Sequence, residues 1–212
     1  MAYRQTPERL ARDQAQRLHI LQLAHAQVVE GGFAQLTMQR LAKAADIATG
    51  TLYRHFSGKG ELAAEVFCMA SQREVDALKE VFAAQGSAVQ RLRQGVERFA
   101  ARAWDSRQLA WALIAEPVDP QVEEQRLRYR EAYAELFAQV LREGCAAGEF
   151  SVQYPHLVAA CFVGAISEVL VGPLSPQARA QRSEHEVDDD LKRVRATLVE
   201  LFLGALGARE HA

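Results

Sequence analysis

Two short helices joined by a tight turn are predicted between Leu36 and Phe56, and this stretch constrains the fold most. Thr37 suits the N-cap of the first helix, because its hydroxyl can accept from a free backbone N–H. Asp46 ends the apolar spacing that follows, and aspartate tolerates the left-handed backbone of a turn. The second helix has only about two turns and cannot be stable alone, so Leu52 and Phe56 must pack against neighbours. The stretch therefore predicts a helix-turn-helix, whose second helix enters the DNA major groove.

A set of residues in one register extends this pattern on both sides. It comprises Ile20, Leu21, Ala24, Gly32, Phe33, Thr37, Met38, Leu41, Ala42, Gly50, Thr51, Leu52, Tyr53, Phe56, Lys59, Glu61 and Leu62. With these residues the chain resembles the DNA-binding domain of the TetR family of transcriptional regulators. Gln27, Asp46 and Ala48 depart from the family pattern, which usually has an apolar residue, Gly, and Ser or Thr there. The resemblance implies a helix-turn-helix domain over 1–58 and an effector-binding and dimerisation domain over 59–212.

The resemblance also implies a division of labour in DNA binding. The residues at phosphate-holding positions are Thr37, Tyr53, His55 and Lys59, and those at base-facing positions are Gln39, Thr49, Gly50, Thr51 and Arg54. The chemistry is compatible, because arginine can pair with guanine and glutamine with adenine through two hydrogen bonds. Two alternatives stay open: Arg54 as a solvated or phosphate-bound charge, and His55 as a half-buried residue beside Phe56.

Charge is distributed unevenly along the chain. Residues 1–60 carry eight cations and four acids, whereas the remainder carries 17 cations and 23 acids. A basic N-terminal segment on an acidic body fits a nucleic-acid-binding head. Residues 1–8 are either a disordered terminus or an arm whose Arg4 and Arg9 reach the DNA backbone or minor groove.

Composition and motifs argue against several other classes of protein. There is no GxSxG, P-loop or GxGxxG, and the three cysteines and six histidines form no closely spaced ligand pair. We therefore expect no enzyme, no metal site and no cofactor. No uninterrupted apolar run reaches about 18 residues, so no membrane span is expected. The start of the chain lacks the apolar segment of a signal peptide, which favours a cytoplasmic protein.

Helical periodicity, caps and breakers predict an all-α fold of about nine helices. The predicted bounds are 8–30, 37–45, 49–56, 58–84, 89–103, 107–116, 119–147, 155–171 and 188–208. Residues 173–187 contain two prolines and few large apolar residues, so they are predicted to form a loop. The fourth helix is the predicted connector between the DNA-binding head and the body.

The last two predicted helices suggest a dimer interface. Small residues on the eighth helix, which are Ala159, Ala160, Gly164, Ala165 and Ser167, would allow close approach of helix backbones. The ninth supplies large apolar residues, including Leu198. In the TetR family the last two long helices form a four-helix bundle across a two-fold axis. The alternative is that both helices only complete the core of a monomer.

Aromatic residues concentrate in the predicted body. They are Phe99, Trp104, Trp111, Tyr129, Tyr133, Phe137 and Phe162. They form either an ordinary core or, as in the family, part of a cavity for an apolar or amphipathic effector. Arg126 falls on or beside the buried stripe of its helix and needs a carboxylate partner or an anionic ligand. Glu116 and Glu168 are its candidate protein partners.

Together these features favour a dimeric, DNA-binding regulator of TetR type. Repression of a palindromic operator, relieved by a small apolar or amphipathic effector, is what the resemblance implies. The alternative from another class is a helical ligand-binding or adaptor module that never contacts DNA. Such a module would not need an exposed Thr49–His55 face next to a basic N-terminal arm.

Overall fold

A computed structural model of the chain describes residues 6–181 and 184–208, and these residues form ten helices and no strand. The helices are α1 (Pro7–Gln35), α2 (Met38–Ala44), α3 (Thr49–His55), α4 (Lys59–Phe82), α5 (Ala88–Asp105), α6 (Arg107–Ile114), α7 (Pro120–Ala146), α8 (Pro155–Leu174), α9 (Pro176–Gln181) and α10 (Glu184–Ala205). The predicted all-α fold is confirmed. The predicted contact of Arg4 with DNA lies outside the described residues.

Several helices start where local chemistry predicts a start. The hydroxyl of Thr37 accepts from the Arg40 backbone N–H at 3.2 Å, and Asp119 caps α7 ahead of a proline in the first turn. Ser87 and Gln90 cap α5 reciprocally, each side chain accepting from the other residue's backbone N–H. These bonds satisfy donors that the first turn of a helix leaves free.

Helix α1 breaks at Gly32 and then continues for a short turn. Gly32 has φ 76° and ψ 179°, a conformation that is open almost only to glycine. The predicted helix end at the Gly31–Gly32 pair therefore coincides with the break. The prediction missed the turn from Phe33 to Gln35, which leads the chain into α2.

The predicted loop over 173–187 is wrong. Helix α8 continues through Pro173 to Leu174, α9 follows from Pro176 to Gln181, and α10 begins at Glu184. Ser175 accepts from the Ala178 backbone N–H at 3.2 Å, and proline fits the first turn of α9 because its missing N–H is not needed there. A proline near the last turn of α8 likewise interrupts few helical hydrogen bonds.

The core consists of two hydrophobic clusters. The body cluster joins the second half of α4 to α5, α7, α8 and α10. The head cluster contains Ile20, Leu21, Ala24, Val28, Phe33, Leu36, Met38, Leu41, Ala42, Leu52, Phe56, Leu62, Ala63, Val66, Phe67, Ala112 and Val122. The core of the head thus includes side chains from the first half of α4, from α6 and from the start of α7.

Helices α8 and α10 are buried on one side and exposed on the other. Ala159 and Leu198 are fully buried in the body cluster of the single chain, so neither lies on the outer face where the dimer hypothesis placed it. Leu157 on α8 and Leu201 on α10 are 62 % and 53 % exposed. By length and composition, Pro155–Gln181 is apolar enough to cross a membrane, and 33 % of its most apolar window is buried within the protomer.

Candidate nucleic-acid interface and effector cavity

The turn between α2 and α3 has the geometry that the sequence predicts. Asp46 has φ 51°, and it is the one positive-φ residue other than glycine among the described residues. Ile47 follows it and packs, partly buried, against the head cluster. The turn therefore directs α3 away from α2 while an apolar side chain holds the two helices together.

Helix α3 buries its apolar side and exposes its polar side. Leu52 and Phe56 are essentially inaccessible, whereas Tyr53 is 54 % exposed. Of the nine predicted DNA-binding residues, Gln39, Gly50, Tyr53, Arg54 and Lys59 are exposed, and Thr37, Thr49, Thr51 and His55 are half-buried. All nine lie in α2 with its N-cap Thr37, in α3 or at the start of α4, so the helix-turn-helix and the residue that opens α4 carry the whole set.

Contacts with α1 hold α3 in place. The Nε2 atom of His55 lies 3.2 Å from Oε1 of Gln16, and the guanidinium of Arg17 lies 4.7 Å from the centre of the Phe56 ring. Arg17 also pairs with Glu65 of α4. His55 is therefore half-buried and bonded to α1, which agrees with the alternative raised for it, while its role towards phosphate stays a prediction.

Lys59 opens α4 and is exposed, so its charge stands beside the free N–H groups of the first turn. Such a helix start favours a phosphate group. Glu61 accepts from the Ser57 hydroxyl and from the Ser57 backbone N–H, both at 2.6 Å. These hydrogen bonds hold the pKa of the Glu61 carboxyl below its usual range.

A cavity lies inside the body, between α4, α5, α6, α7 and α8. Its lining includes five of the eight predicted effector residues, which are Phe99, Arg126, Tyr129, Tyr133 and Phe137. The cavity volume is about 80 Å³, enough for several water molecules, since one water needs about 10–15 Å³.

The other three predicted effector residues do not line this cavity. Phe162 stacks on Phe202 with ring centres 3.8 Å apart, inside the body cluster. Trp104 is buried in the same cluster, and Trp111 packs against it. Their large apolar surfaces join α8, α10, α5 and α6 to the core. These three aromatics therefore lie in or against the hydrophobic core, as the first of the two interpretations of the aromatic residues expects.

Polar groups around the cavity are mostly engaged with one another. Arg102 donates to both carboxylate oxygens of Glu74, at 2.6 and 2.7 Å. The hydroxyl of Tyr133 donates to the Ser71 carbonyl at 3.3 Å, and burial raises the pKa of Tyr133. The hydroxyl of Tyr129 donates to the Cys68 carbonyl at 3.0 Å. These bonds fasten α4 to α5 and α7 around an otherwise apolar space.

Arg126 is buried, as expected, but its carboxylate partner is Glu123 at 2.5 Å rather than Glu116 or Glu168. Its remaining donors reach backbone carbonyls. Nε donates to Leu113 at 2.9 Å, and Nη2 donates to Glu116 and Ala112 at 2.9 and 3.3 Å. These carbonyls lie at the end of α6, where no helical N–H follows to bond them. Arg126 therefore holds the last turn of α6 against α7.

The side chain of Glu116 points the other way, into the head. It is 7 % exposed, and its two oxygens accept from the Phe33 and Ala34 backbone N–H groups at 2.9 and 2.8 Å. These donors are free because Gly32 interrupts α1 just before them. A carboxylate at the start of a helical turn is stabilised by the dipole and by charge-assisted hydrogen bonds.

Helix α6 therefore belongs to both halves of the molecule. Ala112 is part of the head cluster, and Leu109 and Leu113 pack against that cluster. Ala110 and Ile114 pack against the body cluster and line the cavity. The helix that lines the cavity is thus also packed into the head, and Glu116, which follows it, is bonded to α1.

Sequence reasoning missed the bond from Glu116 to α1 and the Glu74–Arg102 ion pair. Glu116 and Phe33 are 83 positions apart, so no local pattern connects them. One sequence feature could have indicated such a bond. Gly32 predicts a break in α1, and the backbone N–H groups that follow the break need acceptors from elsewhere.

Comparisons with known proteins agree with this architecture. A model described as Bacterial regulatory proteins, tetR family, matches residues 20–66, and a model of the tetracyclin repressor-like C-terminal domain matches residues 85–182. The chain belongs to the TetR family. TetR family proteins are transcription regulators that bind DNA operators and small-molecule effectors, so the chain is a DNA-binding regulator rather than an enzyme or a DNA-independent adaptor.

Solved structures of TetR family regulators share the fold at low sequence identity. FadR of Bacillus subtilis, solved in complex with stearoyl-CoA, is 19 % identical with a TM-score of 0.71, over 87 % of this chain and 96 % of that one. FadR of Bacillus halodurans, a fatty acid degradation regulator, is 20 % identical with a TM-score of 0.72, over 98 % of this chain and 100 % of that one. A TetR family regulator from Pectobacterium atrosepticum is 18 % identical with a TM-score of 0.74, over 95 % of this chain and 97 % of that one. No curated protein sequence matches the chain significantly.

Membership of the family also explains the apolar stretch Pro155–Gln181. TetR family regulators are soluble DNA-binding proteins, and here α8 packs against α6, α7 and α10. Helix α8, which makes up most of the stretch, is thus a helix of the body that is buried on one side, and not a membrane span.

Proposed function

We propose that this TetR family regulator is a repressor that binds a palindromic operator as a homodimer and leaves it when an apolar or amphipathic effector enters the body. The carrying observation is that α6 forms part of the cavity wall and part of the head core, with Glu116 bonded to the start of the turn after Gly32. Residues 1–58 would supply DNA binding, and 59–212 effector binding and dimerisation, in the cytoplasm.

The exposed end of the head supports the DNA-binding part of the proposal. Arg54 and Gln39 can each form two hydrogen bonds with one base, on guanine and adenine respectively. Gly50 would meet only open space if it carried a Cβ atom, so nothing on the protein side blocks close approach of a DNA strand. Lys59 and Thr37 would hold phosphates at the rim.

The outer face of α8 and α10 supports the dimer. Leu157, Ala160 and Gly164 on α8, with Leu201 and Gly204 on α10, are exposed in the protomer. An apolar face of this kind usually marks an interaction site. A second copy packed on it would give two heads, and half-sites about 34–36 Å apart require two.

The cavity supports an apolar effector, and its small volume suggests how the effector acts. A long apolar ligand needs more space than the cavity now offers, so it would bind better to a conformation in which α6 has moved outward. Binding then shifts the population towards that conformation. The complex of the Bacillus subtilis relative with stearoyl-CoA favours an acyl-type ligand for this fold.

DNA binding is tested with an operator duplex selected from random DNA by the purified protein. Arg54→Ala is expected to cost about 1–3 kcal/mol at specific base pairs and to relax preference there. Lys59→Ala is expected to weaken binding to all DNA sequences alike. It should also lower the slope of log affinity against log salt concentration by about one per subunit. Lys79→Ala, on an exposed cation in the body half of α4, is the control. An equal loss on every duplex with Arg54→Ala would identify Arg54 as a phosphate contact.

The effector part is tested by adding dodecanoate or dodecanol to the complex with that duplex. Either ligand should raise the melting temperature of the free protein by mass action and lower its affinity for DNA. Glu116→Gln should retain ligand binding and show a smaller loss of DNA affinity on ligand addition. If a ligand raises the melting temperature without releasing DNA from the wild type, the proposed coupling is wrong.

A further inference from the structure

Charged groups at the cavity differ in whether a protein partner already neutralises them. Four charged residues line it: Glu74, Arg102, Arg126 and Arg130. Glu74 and Arg102 form an ion pair with two hydrogen bonds, and Arg126 pairs with Glu123. Among residues 6–181 and 184–208, no carboxylate forms an ion pair with Arg130.

Arg126, which the sequence analysis named as a possible binding residue for an anionic ligand, is poorly suited to that role. One of its donors is used by Glu123 and three hydrogen bonds go to carbonyls at the end of α6. A ligand that took over these donors would leave buried carbonyls unsatisfied, and each such group costs about 1–3 kcal/mol. Arg126 therefore supports α6 and is not available for a ligand.

Arg130 has the opposite surroundings. It follows Arg126 by four positions on α7, so the two side chains lie on the same side of the helix. Arg130 is exposed while also lining the cavity, which places it where the cavity meets solvent. Burial lowers the pKa of Arg126, and the positive charge of Arg130 lowers it further. The carboxylates of Glu123 and Glu116 counter the charge of Arg126, whereas no carboxylate in the described part of the chain forms an ion pair with Arg130.

We propose that Arg130 binds the anionic end of the effector, with the apolar part of the ligand lying among Phe99, Tyr133 and Phe137. This inference rests on the proposed effector function and adds the charge of the ligand and the residue that recognises it. Carboxylates of free fatty acids and phosphates of acyl-CoA thioesters share this chemistry, because guanidinium forms paired hydrogen bonds with both.

The ligand charge follows from the state of the other groups. A cationic ligand would need Glu74, whose two oxygens are already bonded to Arg102. A neutral ligand would leave the charge of Arg130 without compensation, although water would solvate it at the cavity mouth. An anion is the one charge class that finds an unoccupied counter-charge at the cavity without breaking an existing ion pair.

The experiment compares dodecanoate, dodecanol and dodecanoyl-CoA on the full chain by isothermal titration. The variants are the wild type, Arg130→Gln and the control Arg128→Gln, whose cation is exposed on the same helix, paired with Glu124 and absent from the cavity lining. Arg130→Gln should weaken the binding of dodecanoate about two- to fivefold, a modest effect because the site is open to solvent, and should leave the binding of dodecanol unchanged.

Each outcome decides a different question. If Arg130→Gln weakens the binding of dodecanoate alone, Arg130 recognises a free carboxylate. If it also weakens the binding of dodecanoyl-CoA, Arg130 recognises any anionic end group. Equal losses for dodecanoate and dodecanol, no loss for either anion, or the same loss with Arg128→Gln would overturn the assignment of Arg130. If the wild type binds none of the three probes, the proposed apolar effector itself fails.

Discussion

At the scale of single residues, the most consequential contact joins Glu116 to the turn after Gly32. Gly32 adopts φ 76°, and a Cβ atom placed there would lie 2.5 Å from Oε2 of Glu116 and 2.8 Å from Nε2 of Gln108. Glycine is thus required twice, for the backbone conformation and for the approach of the carboxylate. The position links the DNA-binding head to the end of α6.

Gly32→Ala is expected to destabilise the protein by about 2–4 kcal/mol, since it adds backbone strain and displaces a buried charged acceptor. Gly148→Ala is the matched control, because Gly148 has φ 74° with nothing within 4 Å of its would-be Cβ. Gly148→Ala should lower the free energy of unfolding by only about 1–2 kcal/mol. Urea unfolding of both variants measures the difference, and equal costs would show that Glu116 does not oppose a side chain at position 32.

His25 gives a pH-dependent contribution to stability. Burial lowers the pKa of His25, and the nearby charge of Arg73, whose Nη1 lies 3.4 Å from Nε2, lowers it further. The unfolded chain therefore binds a proton at a higher pH than the native state does. Stability from this group is fully present above the unfolded pKa of about 6.5 and is lost as pH falls below it.

His25→Asn should consequently reduce the loss of unfolding free energy between about pH 7.5 and about pH 5.5. His19→Asn, on an exposed histidine of the same helix, should leave the wild-type pH dependence in place. Chemical denaturation at the two pH values provides the measurement. Identical pH dependence in the wild type and His25→Asn would contradict the role given to His25.

Residues whose role depends on their neighbours in sequence were predictable. Thr37 caps α2 and Asp46 takes the left-handed turn, because both roles follow from side chains acting on nearby backbone. The burial of Arg126 was predicted, but the partners of Arg126 and Glu116 were not, because these partners are set by how α6 and α7 pack. Gln27, where the family usually has an apolar residue, is buried, and its Oε1 has no hydrogen-bond partner among the described residues.

At the scale of helices, α10 separates core residues from surface residues more strictly than its apolar stripe indicated. Val194, Leu198 and Phe202 are buried in the body cluster, whereas Leu201 is 53 % exposed. Periodicity identifies the apolar positions but not which neighbour covers each of them. Leu198→Asp would therefore place a charge in the protomer core and unfold it, so it is unsuitable for testing a dimer.

Leu201→Asp is the suitable variant. It should shift the protein from dimer to monomer at micromolar concentration and keep helical circular dichroism, because Leu201 contributes little to the protomer core. Leu18→Asp, also 53 % exposed but on α1, controls for the loss of an exposed leucine and should leave the dimer intact. Light scattering gives the mass. A wild type that is itself monomeric at this concentration would disprove the dimer.

Helix bounds were predictable where caps and breakers stand in the sequence. The predicted starts near residues 37, 49, 58 and 119 lie within one or two positions of the observed starts. The loop predicted over 173–187 is wrong because the prediction treats both prolines as helix breakers. Pro173 lies near the last turn of α8 and Pro176 in the first turn of α9, where a helix tolerates a proline.

At the scale of the whole molecule, the arrangement of head, body and connector followed from the family resemblance. What the sequence did not reveal is that the two cores interlock through α6 as well as through α4. The cavity was partly predicted, because five aromatic or charged positions line it. Arg130 and the Glu74–Arg102 pair were missed, since charged residues on a helix surface give no sequence indication of the space that they border.

The presence of Ala112 and Val122 in the core of the head limits how such regulators can be recombined. A chimera that carried residues 1–58 on a foreign body would lack the side chains that close the base of that core. It would also carry Gly32 without the carboxylate of Glu116. Such a graft would retain the exposed polar face of α3 and lose part of the core beneath it. Replacing the body of this regulator therefore means transplanting the first half of α4, α6 and the start of α7 together with residues 1–58, or redesigning the contacts between them.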